Sequence, residues 1–330
     1  GDGLGVPIRC TQNPTMGEEW RRGWHPEFIA GKGSESSVLV VGAGPAGLEA
    51  TRALGQRGYR VTLAEATREL GGRVTRESRL PGLSEWQRVR DYRLQQIDVM
   101  PNVEKFRESE LNIDDVLAVE ADHIVFATGA AWRADGFGRS HLHPLTALSP
   151  GARILTPDDI MAGHLPDGPT VIFDDDSFYM GGVIAEQVRR ANVPVSVVTP
   201  ENVVSAWCEY TSEQYQVQKH LLELGVEIKT AHSLLAYDGR EVTISCTHTG
   251  RQQLLKADAL IMVTARRPRD EVYQDLNSRM EGEVQPPFHS VQRIGDCEAP
   301  AIIAAAVYSG HRYARELDTE PDPDVPLRLE

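Results

Sequence analysis

Apolar residues come in short unbroken runs along this chain, each followed by a stretch of helical spacing. Val38-Leu39-Val40-Val41 leads into Gly42-Ala43-Gly44-Pro45-Ala46-Gly47, and the spacing beyond predicts a helix over Leu48–Leu54 and a second strand over Tyr59–Glu65. Strands without polar alternation are the kind buried on both faces of a parallel sheet. A helical patch follows around Trp86–Ile97, then a strand over His123–Ala127 that ends in Thr128-Gly129. The same layout starts again at Thr170-Val171-Ile172-Phe173, with a helix near Val183–Ala191, a strand over Pro194–Thr199 and an amphipathic helix near Ser212–Leu224. Strands at Val226–Thr230, Val242–Cys246 and Ala259–Val263 and a helix over Ala301–Glu316 close the pattern. The two α/β units are alike in layout, but no tandem repeat of solenoid period and no low-complexity tract is present.

Composition narrows what such a chain can do. With 330 residues it is too long for one ordinary core and predicts two domains. Its 48 acidic against 34 basic residues give a formal charge of −14, which argues against nucleic acid and anionic membrane surfaces as partners and for a small ligand or a protein. No apolar stretch reaches membrane-spanning length, and no secretory signal pattern is found. Cys10, Cys208, Cys246 and Cys297 have no paired spacing, so a reducing cytoplasm is the expected setting.

The first glycine cluster carries chemistry. G-x-G-x-x-G between a strand and a helix suits a dinucleotide: Gly42 permits the tight turn, Gly44 lets the backbone approach a pyrophosphate, and Gly47 lets the helix pack closely. The helix then points its N-terminal N–H groups at the anion. Glu65, 18 residues after Gly47, can accept hydrogen bonds from both ribose hydroxyls and would repel a 2′-phosphate.

Further segments carry a resemblance. Glu65-x5-Gly71-Gly72, the strand ending in Ala127-Thr128-Gly129, Val263-Thr264-Ala265-Arg266-Arg267-Pro268 and Ile294-Gly295-Asp296 resemble the successive signatures of the flavoproteins with two dinucleotide domains. Cys10-Thr11-Gln12-Asn13-Pro14 with Gly17-Glu18-Glu19 and Arg21-Arg22-Gly23-Trp24-His25-Pro26-Glu27 is more specific. It is similar to the domain junction of the trimethylamine dehydrogenase and histamine dehydrogenase family, as are Leu80-Pro81-Gly82-Leu83-x-Glu85-Trp86, Arg90-Asp91-Tyr92-Arg93 and Gly295-Asp296-x-Glu298-Ala299-Pro300. The resemblance covers essentially the whole chain, weakly in residues 200–260. It implies an α/β chain of two Rossmann-like nucleotide-binding domains, the second inserted into the first: an arm over residues 1–34, a split ADP- or FAD-binding domain over 35–150 plus 265–330, and an inserted NAD(P)-like domain over 151–264.

The same resemblance implies missing parts. The family places an FMN-bearing (β/α)8 barrel before this region and a 4Fe-4S cluster at the junction, with the fourth cysteine ligand matching Cys10. The chain contains neither a cluster-spaced cysteine set nor room for a barrel. On its own chemistry Cys10 is an ordinary thiol, and only this context makes it a cluster ligand. The implied nucleotide site comprises Gly42, Ala43, Gly44, Pro45, Ala46, Gly47, Glu65, Ala66, Gly72, Arg73, Thr128, Gly129 and, toward a flavin if FAD is bound, Asp296; no catalytic residue falls in the chain. The implied activity is oxidation of an amine with electrons passed to an electron-transferring flavoprotein, by an enzyme expected to be a homodimer. An NAD(P)H-dependent reductase of the 2,4-dienoyl-CoA reductase type and a non-catalytic nucleotide-binding docking module are the competing readings.

Other residues have plainer explanations. Asp174-Asp175-Asp176 could hold a divalent cation, but neighbouring carboxylates at a strand end point in alternating directions, and a solvated turn is expected. His123, His141 and His143 lack the helical pairing of a zinc site. Cys297 is expected to be a small buried side chain, and Trp20 and Trp24 to anchor the arm. In the inserted unit Asp174, Asp176 and Tyr179 stand in register with the three glycines of the first unit, which predicts loss of the cofactor. A register shifted by a residue or two would instead put Gly181 or Gly182 at the phosphate.

Overall fold

The computed structural model describes residues 8–21, 23–25, 28–32, 35–281 and 286–319. Arg22, Pro26 and Glu27 of the arm motif, and residues 1–7, 33 and 34, lie outside them. The chain divides into two compact units, one of residues Gly1–Thr75, Trp86–Ala130 and Pro268–Glu330, the other of Arg76–Glu85 and Ala131–Arg267. The crossings fall at 130/131 and 267/268 rather than at 150/151 and 264/265, and a short stretch of the first α/β region joins the second unit. The early crossing has a local cause: Trp132 donates its backbone N–H to Asp158, and Arg133 to the carbonyl of Ala265.

The first unit is built on a five-stranded parallel sheet in the order Ser290–Arg293, His123–Phe126, Ser37–Val41, Arg60–Ala64, Val103–Phe106. The central strand is buried on both sides because its residues alternate between two apolar layers. Val38 and Val40 pack with the helices Pro45–Arg57 and Ile303–Glu316, while Leu39 and Val41 pack with Val116, Leu276 and Phe288. Helix Pro45–Arg57 begins with proline in its first turn and ends on Gly58 at φ 96°, a left-handed stop that glycine adopts without strain.

The second unit has its own five-stranded parallel sheet, ordered Ile154–Leu155, Ala259–Val263, Thr170–Asp174, Val195–Val198, Glu227–Lys229. A three-stranded antiparallel meander, His232–Tyr237, Glu241–Cys246 and Gln252–Lys256, covers it through Leu234, Tyr237, Val242 and Ile244. Among the described residues no helix is long and apolar enough to cross a membrane.

A close backbone approach in the first unit joins its two main helices. A Cβ on Gly310 would lie 2.1 Å from the carbonyl oxygen of Ala46 and 3.1 Å from the amide nitrogen of Ala50. Both neighbours are helix backbone and cannot yield as a flexible side chain would. Alanine at a helix interior is favoured over glycine by about 1 kcal/mol, but overpacking of this kind costs roughly 1–3 kcal/mol or more. Gly310→Ala is therefore expected to lower stability, read as a lower urea midpoint at unchanged m; an unchanged or higher midpoint would refute the contact.

Candidate functional site

The glycine loop of the first unit is shaped by three contacts that leave no room for side chains. Gly42 stands at φ 103°, and a Cβ there would meet the Ala127 carbonyl at 2.5 Å. A Cβ on Gly47 would come within 1.9 Å of the Gly42 carbonyl oxygen, so the helix lies directly on the turn. Gly72, at φ 55°, would place its Cβ 3.1 Å from the Cα of Gly44. Around Gly44 itself nothing lies within 4 Å of the Cβ position: the space on that side is open. The helix starts at Gly44 without a side-chain cap and with no acidic residue in its first turn, leaving its N-terminal N–H groups available to an anion.

Glu65 closes the other side. Its residue is 9% exposed; one carboxylate oxygen accepts the Ala43 N–H at 2.8 Å and the other accepts the Thr67 N–H at 2.9 Å and hydroxyl at 2.8 Å. The Ala43 carbonyl in turn accepts the Gly71 N–H at 2.8 Å. The acid is thus locked to the glycine loop, and the oxygen that accepts Ala43 keeps lone-pair capacity for a further donor. Ala66 lies exposed beside it.

The remaining predicted residues fall around this loop. Arg73 pairs with Asp296 at 3.4 Å, and the second oxygen of Asp296 accepts the Ala301 N–H at 3.0 Å. Gly295, at φ 62°, would press a Cβ to 2.6 Å from the Cβ of Ala46. Thr128 sits with its hydroxyl on the Arg269 carbonyl and 3.0 Å from Cys297 Sγ, and the Gly129 carbonyl accepts the Arg269 N–H at 2.9 Å. Cys297 is wholly buried and burial pushes its thiol pKa up, as suits a packing residue. A cavity of about 1030 Å³ flanks the C-terminal helix beside Arg9, Tyr308 and Arg312, but Gly42, Gly44 and Glu65 do not line it.

Cys10 stands apart from the loop. It is half-buried, and its Sγ accepts the backbone N–H of Gln12 at 3.4 Å, the kind of contact that supports a thiolate ligand. Among the described residues no group of three or more histidine, cysteine or acidic side chains could hold a metal ion. The arm around it is anchored by aromatics, as expected: the Trp24 ring packs edge-on to His311 at 5.6 Å, and the Arg21 guanidinium lies over Trp24 at 4.1 Å. No sequence motif marks the fully buried group of Glu49, Arg93 and His311 behind the loop helix. Its one visible signal is a charged Glu49 among the apolar helix positions Leu48, Ala50, Ala53 and Leu54.

The second unit answers differently at the equivalent turn. Its helix runs Tyr179–Arg190, so its third residue is Gly181, as Gly47 is the third of the loop helix. Tyr179 therefore does not take the third glycine's place; it donates its hydroxyl to Glu77 at 2.8 Å. The space against Gly181 is filled by Asp174, whose Oδ2 lies 2.3 Å from where a Cβ would stand. The three acids are not a solvated turn either: Asp174 is 0% exposed and Asp175 2%. The chain tucks the first under the helix and turns the second onto the Ser140 N–H at 3.0 Å. Burial, with Asp176 nearby, pushes the Asp174 carboxyl up to about 8, so it is a neutral acid at pH 7. One of its oxygens accepts the Ser177 N–H at 2.9 Å.

Residues 36–141 match the family described as pyridine nucleotide-disulphide oxidoreductase. Thioredoxin reductase of T. acidophilum, at 13% identity and a TM-score of 0.55 over 85% of this chain and 97% of its own, shares the fold alone. The class is thus an α/β fold with a Rossmann-like domain of the pyridine nucleotide-disulphide oxidoreductase type over residues 36–141. Much higher likeness comes from amine-oxidising proteins. Dimethylamine dehydrogenase of Hyphomicrobium sp. (strain x) is 36% identical over 99% of this chain and 48% of its own length. Histamine dehydrogenase from Rhizobium sp. 4-9 superposes with a TM-score of 0.92 at 49% identity, over 98% of this chain and 50% of that one. The 6-hydroxypseudooxynicotine amine oxidase of Pseudomonas geniculata N1 gives 0.89 at 43% identity, over 94% and 46%. The chain belongs to the trimethylamine and histamine dehydrogenase family of flavoproteins. It spans about half the length of the curated relatives it matches.

Asp174 generates a pH prediction. Its folded pKa of about 8 lies above the usual 3.8, so the native state holds a proton that the unfolded chain releases. The stability this proton confers is fully present below about pH 4 and lost as pH rises toward 8, at up to about 1.4 kcal/mol per pH unit. Asp174→Asn keeps an acceptor for Ser177 and cannot ionise. Its stability relative to the parent should rise with pH between 4 and 8, measured by urea unfolding at stepped pH; a flat difference would place an ionised carboxylate there.

Proposed function

We propose that this chain is the nucleotide-binding portion of an iron–sulfur flavoprotein amine dehydrogenase. The observation that carries the reading is the contrast between the two turns: in the first unit the residue before the helix is Gly44, with open space beside it, while in the second that position is Phe178 and the buried carboxyl of Asp174 lies against the helix at Gly181. One nucleotide is held, not two. The complete enzyme would combine oxidation of an amine at an FMN in a barrel portion, relay through a 4Fe-4S cluster that takes Cys10 as one ligand, and delivery to an electron-transferring flavoprotein. It is expected to act as a homodimer.

The same geometry favours ADP over FAD in the first unit. Gly42 through Gly47 with Glu65 and Gly72 supply backbone donors for a pyrophosphate and a carboxylate for a ribose. Beyond that point both oxygens of Asp296 are engaged, one by Arg73 and one by Ala301, which leaves a flavin's polyol chain to compete with an ion pair. The substrate amine would be recognised in the barrel portion and not by these residues.

The deciding experiment uses the complete enzyme: the nucleotide released on denaturation is identified by mass spectrometry, and the native protein is titrated with NADPH while heat and flavin absorbance are followed. ADP and no NADPH binding are expected. Released FAD together with rapid flavin bleaching would replace the reading with a reductase of the dienoyl-CoA type. Within the first site, Glu65→Ala removes the lock on Ala43 as well as the ribose acceptor. Nucleotide retention should weaken by about 1.5–3 kcal/mol, the value of a charge-assisted hydrogen bond, in equilibrium dialysis; unchanged retention would place the ribose elsewhere.

A further inference from the structure

Glu49 lies two residues past Gly47 on the loop helix and is wholly buried, with four donors on its carboxylate. Oε1 accepts Arg52 Nη2 at 2.6 Å and His311 Nδ1 at 2.8 Å; Oε2 accepts Arg93 Nε at 2.8 Å and Arg52 Nε at 3.1 Å. Burial works against its charged form, yet Arg93 and Arg52 hold it well below the usual carboxylate range. Burial also keeps His311 pKa low, so two guanidinium ions face one carboxylate and one positive charge is in excess. A buried assembly of this kind is expensive to desolvate and is a weak device for stability alone.

Arg93 reaches further than the carboxylate. From helix Gln87–Asp98 it donates Nη1 to the Val89 carbonyl at 2.7 Å and Nη2 to the carbonyls of Thr11 at 3.3 Å and Gln12 at 3.5 Å. Those two peptides are the ones that follow Cys10, and the Gln12 N–H is the donor to Cys10 Sγ. A continuous path therefore runs from the helix that faces the nucleotide, through Glu49 and Arg93, to the peptide that contacts the thiol.

We propose that Glu49 and Arg93 are positioning residues for Cys10: the carboxylate orients the guanidinium, the guanidinium fixes the Thr11 and Gln12 peptides, and the Gln12 N–H is thereby aimed at the sulfur. The inference rests on the reading of Cys10 as a cluster ligand. An N–H donor to a ligand sulfur, and a buried positive charge behind it, stabilise the more negative reduced state of an iron–sulfur centre and so raise its potential. Loosening Arg93 moves the potential down.

The test compares Arg93→Lys and Arg93→Gln in the complete enzyme. Iron and nucleotide contents are measured, then the cluster midpoint potential and electron paramagnetic resonance signal in a redox titration. Arg93→Lys keeps a charge for Glu49 but lacks the planar fork that serves Glu49, Val89 and Thr11 together. Expected for it are full nucleotide content with either a more negative midpoint and an altered signal, or loss of iron. Arg93→Gln should shift the midpoint further in the same direction; if that variant does not fold, Arg93→Lys decides alone. Unchanged midpoint and signal in Arg93→Lys at full iron content would overturn the proposal. Cys10→Ser is the control that separates the two levels: retained iron there removes the ligand assignment itself, whereas iron loss there with an indifferent Arg93→Lys removes the positioning role alone.

Discussion

The glycine loop of the first unit depends on contact between one helix and the turn that precedes it, backbone on backbone. At Gly47 even a methyl group would come to 1.9 Å from the carbonyl of Gly42. Because that approach is so close, the helix N-terminus stands at the carboxyl end of the central strand, Gly44 is left facing open space, and Glu65 at the end of the neighbouring strand can reach the Ala43 N–H. The C-terminal helix repeats the device on the other side, with Gly310 against Ala46. Side chains elsewhere in the unit fill apolar layers; here their absence is what shapes the site.

The second unit keeps the same architecture with a different turn, Phe178 standing before its helix where the first unit has Gly44. Its strand and helix are retained, and so is a glycine at the third helical position, Gly181. Against that glycine lies the carboxyl group of Asp174, where the first unit has the Gly42 carbonyl. A carboxylate there would repel a pyrophosphate and would also be unstable by itself, since burial without a counter-charge favours the neutral acid. The fold persists because the sheet and its meander bury Phe173, Leu234, Tyr237 and Ile244 independently of the turn.

Most of the parallel framework could be read from the sequence, since unbroken runs such as Val38–Val41 and Ala259–Val263 signal strands buried on both faces. Short, largely exposed strands such as Gln252–Lys256 carry no such pattern and are held by their one strand partner and by Leu255. The helix Ile113–Ala118 is short and is fixed by a reciprocal cap between Asn112 and Asp115. The glycine loop, Glu65 and the Gly295-Asp296 turn were legible because each needs a particular residue type at a particular spacing. The register at Tyr179 was not, because one more residue lies between strand and helix in the second unit than in the first. Nor was the burial of Asp174, or the tie between Glu49, Arg93 and the Cys10 peptide, which joins segments about 80 residues apart in sequence.

The division of the chain also sets an order of assembly. The second unit is nearly continuous, from Ala131 to Arg267, whereas the first is interrupted by it and needs Ser290–Arg293 for a sheet edge and Ile303–Glu316 to cover the loop helix. During synthesis, then, the interrupting unit can close while the glycine loop still lacks the helix that covers it. For that interval the apolar face of helix Pro45–Arg57 has no permanent cover. Nascent chains stalled between residues 267 and 303 should be the ones most dependent on chaperones.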